Sequence, residues 1–83
     1  MDGKIRLTLG QMQAGQRGTV VEILGGHGLI RRLEALGIRP GKKLTKVGSM
    51  FLRGPVTIEV DNARLAIGFG MASKIVIELE GAQ

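Results

Sequence analysis

Glycine is the residue that most limits what this chain can become. Fourteen occur in 83 positions, about 17% where ordinary proteins carry ~7%. They follow no three-residue period, which excludes a collagen helix. They fall instead between short β-branched and aliphatic runs: residues 18–24 (GTVVEIL), 43–47 (KLTKV), 56–60 (VTIEV), 64–67 (RLAI) and 74–79 (KIVIEL). A chain that turns this often builds short strands rather than long helices. Hydrophobic residues make up 43% of it, enough for a packed core and too many for disorder. Phe51 and Phe69 are the only aromatics, so that core is aliphatic. With no cysteine there is neither a disulfide nor a thiolate metal site to staple it. The length allows one domain, residues 1–83.

The one clear helix is residues 29–36 (LIRRLEAL). Leu29, Leu33 and Leu36 recur at i, i+4 and i+7 with Ile30 beside them, while Arg31, Arg32 and Glu34 fall off that stripe. Gly37 stands where a left-handed residue closes a helix, and Ile38 can supply the apolar contact that goes with such a cap. Pro40-Gly41 fits the centre of a type II turn. Thr8 can cap a single helical turn over residues 9–12. Residues 25–28 (GGHG) break the first strand, residues 48–53 form a loop with large apolar side chains, and residues 68–72 are a connector in which Phe69 plugs one end of the barrel. Met12 and Met71 read as core gap-fillers. In residues 74–79, Ile75, Ile77 and Leu79 share one face. The sum is five strands with one helix inserted after the first. Strands this short protect their edges by rolling up, so the expected fold is mainly β, a small SH3-like five-stranded barrel.

Charge is concentrated. Residues 29–53 hold Arg31, Arg32, Arg39, Lys42, Lys43, Lys46 and Arg53 against Glu34, a net of +6, while the rest of the chain sums to −1. Such a face attracts nucleic acid, anionic lipid or an acidic protein, or is simply solvated. Stacking on single-stranded nucleic acid needs aromatic platforms that two Phe do not supply, and no nucleic acid is expected as a partner.

The order of these pieces is itself informative. The succession GTVVEILGG, RRLEALGIRPGKKL, RGPVTIEV, RLAIG and then residues 72–79 resembles the ferrous iron transport protein A (FeoA) family over residues 7–79. The most specific stretch is Arg32-Leu33-x-x-Leu36-Gly37-Ile38-x-Pro40-Gly41, a helix end, its glycine cap and a turn. The resemblance implies a small cytoplasmic bacterial protein with an SH3-like barrel. It also implies contact with the inner-membrane ferrous iron transporter FeoB, which carries a cytoplasmic GTP-binding domain, and contact with the membrane only through that partner. The same module is similar to the C-terminal domain of iron- and manganese-dependent repressors. Three places depart from the family pattern: Lys46 where an aliphatic residue is expected, Ser49-Met50-Phe51-Leu52-Arg53 in place of a proline-containing loop, and Asn62 where a turn glycine is common.

Chemistry-bearing residues are few. His27 is the lone histidine, and one imidazole can join a metal site but cannot make one; it reads as a turn-exposed side chain, open at most to an intermolecular metal. GGHG lacks the Gly-Lys-Ser/Thr of a phosphate loop. Ser49 and Ser73 have no adjacent base, so no catalytic residue, resident metal or cofactor is assigned and the chain reads as non-enzymatic. The candidate partner-binding residues are Arg31, Arg32, Arg39, Met50, Phe51, Leu52 and Arg53. The arginines fit carboxylates or phosphates bidentately, an arginine finger on a GTPase being the sharpest form and a solvated face the blandest. The apolar triplet suits partner contact or a flap. Gly37, Pro40 and Gly41 are structural turns. The chain is expected to be a monomer or weak dimer. A basic nucleic-acid-binding barrel and a metal-responsive sensor are the alternative functions.

Overall fold

A computed structural model describes residues 4–49 and 54–80. Among these residues six antiparallel strands form one sheet: β1 (Arg6–Thr8), β2 (Arg17–Ile23), β3 (Lys43–Ser49), β4 (Val56–Val60), β5 (Ala63–Ile67) and β6 (Ile75–Leu79). Their spatial order is β1-β6-β2-β3-β4-β5. Helix α1 (His27–Ala35) joins β2 to β3, and the short α2 (Phe69–Ala72) joins β5 to β6. The architecture is mainly β, as expected, but it has a sixth strand. Arg6–Thr8 pairs with β6 through Leu7 and Ile77, so the inserted helix follows the second strand rather than the first. Three residues are too few to show alternation, which is why β1 left no mark in the sequence pattern.

The core is aliphatic. Val20, Ile23, Leu33, Ile38, Leu44, Val56, Ile58, Ile67, Ile75 and Ile77 are buried together, with Leu9, Met12 and Ala72 closing the end under the N-terminal segment. Two β-bulges adjust the alternation. Val20 faces Ile77 while Glu22 faces Val76, leaving Val21 as the extra residue. Val20 and Ile23, three apart, therefore both point inward. On β3, Lys46 faces Ile58 and Gly48 faces Thr57, with Val47 extra. Gly48 and Ser49 continue β3 and do not begin a loop. Met50, Phe51, Leu52 and Arg53 lie outside the described residues.

Helix α1 starts two residues earlier than its apolar stripe suggests. Gly26 is its N-cap, and His27 lies in its first turn, exposed, rather than in a turn before it. Leu33 is fully buried and Leu29 and Ile30 pack against the core. The helix ends as the sequence requires. The Gly37 N–H donates to Glu34 O at 2.9 Å and the Ile38 N–H to Leu33 O at 2.9 Å, with Gly37 at φ +90°. This is a Schellman cap, and buried Ile38 and Leu33 supply its apolar contact. The type II turn follows: the Lys42 N–H donates to Arg39 O at 3.0 Å and Gly41 takes φ +95°. Asp61 and Asn62, at φ +53° and +65°, make the two-residue β4–β5 hairpin turn, so Asn62 does the work of the missing glycine.

The N-terminal segment runs from β1 into a 3₁₀ turn (Leu9–Gln11), shorter than residues 9–12, with Thr8 at its N-cap position. The Gln11 side chain accepts the Thr8 N–H at 2.9 Å. Phe69 does not plug the barrel: it lies on α2, 39% exposed.

Glu78 of β6 holds β1 in place by accepting from Lys4 at 3.3 Å and Arg6 at 3.2 Å. The Lys4 ammonium, then Arg6, keeps its carboxyl below the usual range. A carboxyl depressed in the fold contributes stability above its unfolded pKa and loses it as pH falls through the folded value. The thermal midpoint is therefore expected to fall more steeply on the acid side in the wild type than in Glu78→Gln. Parallel midpoint-versus-pH curves would remove this ion pair from the acid response.

Candidate docking surface

The solvent face of α1 is built by helical spacing. His27 and Arg31 are one turn apart, as are Arg32 and Leu36, which follows the last helical residue, so two exposed rows run side by side. Among the described residues neither Arg31 nor Arg32 has an ion-pair partner. Arg39 is exposed beyond the helix, also without one. In contrast, Lys42 is engaged: its Nζ lies 2.9 Å from Asp61 Oδ2. Leu36 is 40% exposed, although the helical stripe assigns it to the core. Leu24, just after β2, is 45% exposed although it closes an apolar run. Arg31 and Arg32 are thus brought together with an apolar neighbour in Leu36. The contribution expected from Met50, Phe51, Leu52 and Arg53 falls outside the described residues.

Lys46 does something no local pattern announces. It points into the core side beside Ile58 and is only 4% exposed. Its Nζ donates to three carbonyls of the N-terminal segment: Met12 O at 2.6 Å, Gly10 O at 3.3 Å and Leu9 O at 3.4 Å. Three N–H bonds meet three acceptors, which is how a buried ammonium is tolerated. Burial pushes its pKa down. The backbone of the same residue closes the clasp, since the Gly15 N–H donates to Lys46 O at 2.7 Å and the Lys46 N–H to Gln16 O at 2.9 Å. The departure from an aliphatic residue is thus a structural tether. Its acceptors lie 34 to 37 residues away in the chain, so only the fold reveals it.

A shallow polar groove on the outer face of β2, β3 and β4 is lined by Arg17, Lys43, Thr45, Glu59, Asp61 and Glu80. It mixes both signs of charge. Among the described residues no group of three His, Asp or Glu side chains could hold a metal ion. No helix among them is long and apolar enough to cross a membrane.

A six-stranded antiparallel sheet around one aliphatic core, with one helix capped by Gly37 between β2 and β3, defines a small SH3-like domain. A crystal structure described as iron uptake regulatory protein (FeoA) superposes with a TM-score of 0.84 at 36% identity, covering 92% of this chain and 99% of that one. A Methanocaldococcus jannaschii chain named as an Fe(2+) transport protein A is 38% identical over 64 residues, 77% of this chain and 76% of its own. The FeoA domain family matches residues 7–79, and the chain belongs to that family. A manganese-dependent transcriptional repressor also superposes, with a TM-score of 0.82 at 21% identity, over 90% of this chain and 42% of that one. That likeness is one of fold.

Proposed function

We propose that this protein is a non-enzymatic accessory of Fe(2+) uptake that acts in the cytoplasm by contact with an FeoB-type membrane transporter. Membership of the FeoA family over residues 7–79 is the observation that carries the link to iron. The α1 face supports the mode of action. Two guanidinium groups, free of ion pairs among the described residues, stand on the solvent side of α1, with the exposed Leu36 of its C-cap one turn from Arg32. Exposed arginines beside an apolar side chain suit an acidic protein surface with a small apolar centre, and they steer its approach.

The test is calorimetric titration of this protein into the purified full-length transporter, with and without a GTP analogue, while GTP hydrolysis is followed. Binding that changes hydrolysis identifies a regulator of the GTP-binding domain, and binding without change identifies a scaffold. No binding in any nucleotide state refutes the reading. Arg31→Glu combined with Arg32→Glu leaves folding intact, because both side chains are exposed, and is expected to weaken binding about tenfold or more at low salt. Unchanged affinity removes these two residues from the mechanism.

A further inference from the structure

The sheet has two edges, and they are finished differently. On β1, the outward Thr8 N–H is taken by Gln11 Oε1 at 2.9 Å, and the Arg6 side chain is paired with Glu78. On β5 nothing comparable occurs. The hairpin turn makes Val60 and Ala63 the first hydrogen-bonded pair, so Leu65 and Ile67 also bond to β4. The N–H and C=O groups of Arg64 and Ala66 therefore point away from β4. Among the described residues no other hydrogen bond reaches them, and both residues are exposed. The strand runs in regular register over five residues, without the proline or bulge that commonly blunts an edge.

Charge says what fits there. One outward row crosses the sheet in register: Glu80, whose N–H donates to Arg17 O at 3.0 Å, then Arg17, Thr45, Glu59 and Arg64. The charges in this row alternate in sign and end at the edge on Arg64, which has no ion pair among the described residues. A strand added beyond β5 sets a side chain opposite Arg64 at about 4.5–5.5 Å between Cβ atoms, where opposite charges stabilise and like charges repel. A second copy of β5 brings no carboxylate to that place, and the net charge of +5 opposes self-association.

We propose that the β5 edge docks an extended acidic segment of a protein partner, which joins the sheet through the backbone of Arg64 and Ala66 and sets a carboxylate against the Arg64 guanidinium. This is strand addition, with backbone bonds supplying affinity and the Arg64 contact supplying selectivity. It is independent of the α1 face and of the transporter reading.

The first measurement is amide hydrogen exchange on the free chain. Arg64 and Ala66 are expected to exchange as unprotected amides while Leu65 and Ile67 are protected. Protection of Arg64 and Ala66 in the free chain overturns the proposal. The probe is then a blocked peptide, acetyl-Thr-Val-Glu-Val-Thr-Val-amide, compared with the same peptide carrying Lys for Glu. The acidic peptide is expected to perturb residues 63–67 and to protect Arg64 and Ala66. Arg64→Gln is expected to weaken it, and Arg64→Glu to reverse the preference between the peptides by about tenfold or more. Both variants are at an exposed position, and an unchanged thermal midpoint confirms their folding. Equal binding of the two peptides, perturbation elsewhere, or the same protection arising from concentration-dependent dimerisation of the chain each overturns it.

Discussion

Lys46→Met is expected to destabilise the protein by about 2–3 kcal/mol, even though it replaces a buried charge with an apolar side chain of similar length. Removing a buried ion is often neutral or favourable when nothing is left behind. Here acceptors are left behind. Leu9 O retains the Met12 N–H at 3.2 Å, but Met12 O and Gly10 O lose the ammonium that satisfies them. A buried polar group left unpaired costs about 1–3 kcal/mol; Met12 O is buried and Gly10 O partly so, and together they outweigh the desolvation recovered. At roughly 4–8 °C per kcal/mol for a domain of this size, the midpoint falls by roughly 10–20 °C. Thermal unfolding by circular dichroism checks the size of the effect. Amide exchange checks its place, since the Gly15 and Lys46 amides should open first. A variant as stable as the wild type would show that the carbonyls find other donors and that the ammonium is no tether.

Gly18→Ala is the second large effect, and its cause is steric. Gly18 is buried on β2 opposite Leu79 of β6. A Cβ built on it collides with Ile77 Cγ2 and lies 2.9 Å from the Glu78 carbonyl oxygen. Ile77 is fully buried and cannot withdraw, and the carbonyl belongs to the central strand of the β1-β6-β2 group. Overpacking of this kind costs about 1–3 kcal/mol, and contact with backbone puts it near the top of that range. Denaturant titration of the variant is expected to show a lower midpoint with an unchanged slope. An alanine tolerated without loss would mean that β2 and β6 separate freely at this point. Gly15 makes a useful contrast: it needs its glycine for φ +92° although no atom crowds it.

What the sequence made legible was local. Gly37, Ile38, Pro40 and Gly41 each do what their residue type and spacing demand, because a helix cap and a tight turn are decided within a few residues. The runs ending in Val60, Ile67 and Leu79 are strands for the same reason. Non-local features stayed hidden. β1 exists because β6 offers it an edge, and Arg6-Leu7-Thr8 carries no pattern of its own. The bulges at Val21 and Val47 break the two-residue period, and the strand containing Lys46 extends through Gly48 and Ser49 because β4 is there to pair with them. Gly26 opens α1 without a Ser, Thr, Asp or Asn cap, so nothing marked His27 as helical. The candidate docking residues were half legible. The helix period put Arg31 and Arg32 outside, but the exposure of Leu24 and Leu36 depends on where α1 comes to rest on the sheet. The free edge at Arg64 and Ala66 follows from strand order alone.

That strand order has a consequence for synthesis. β6, the last of the described strands in chain order, lies between β1 and β2, the first two. As the chain leaves the ribosome, β2 to β5 can pair as a meander and α1 can dock, but β1 has no partner until residue 79 is free. The tract before β2 must wait for β6 as well, held meanwhile by its clasp to Lys46. Closure of this sheet therefore waits for β6. Pairing of β6 with β1 and β2 is the step at which the newborn protein competes with its neighbours for an unpaired edge.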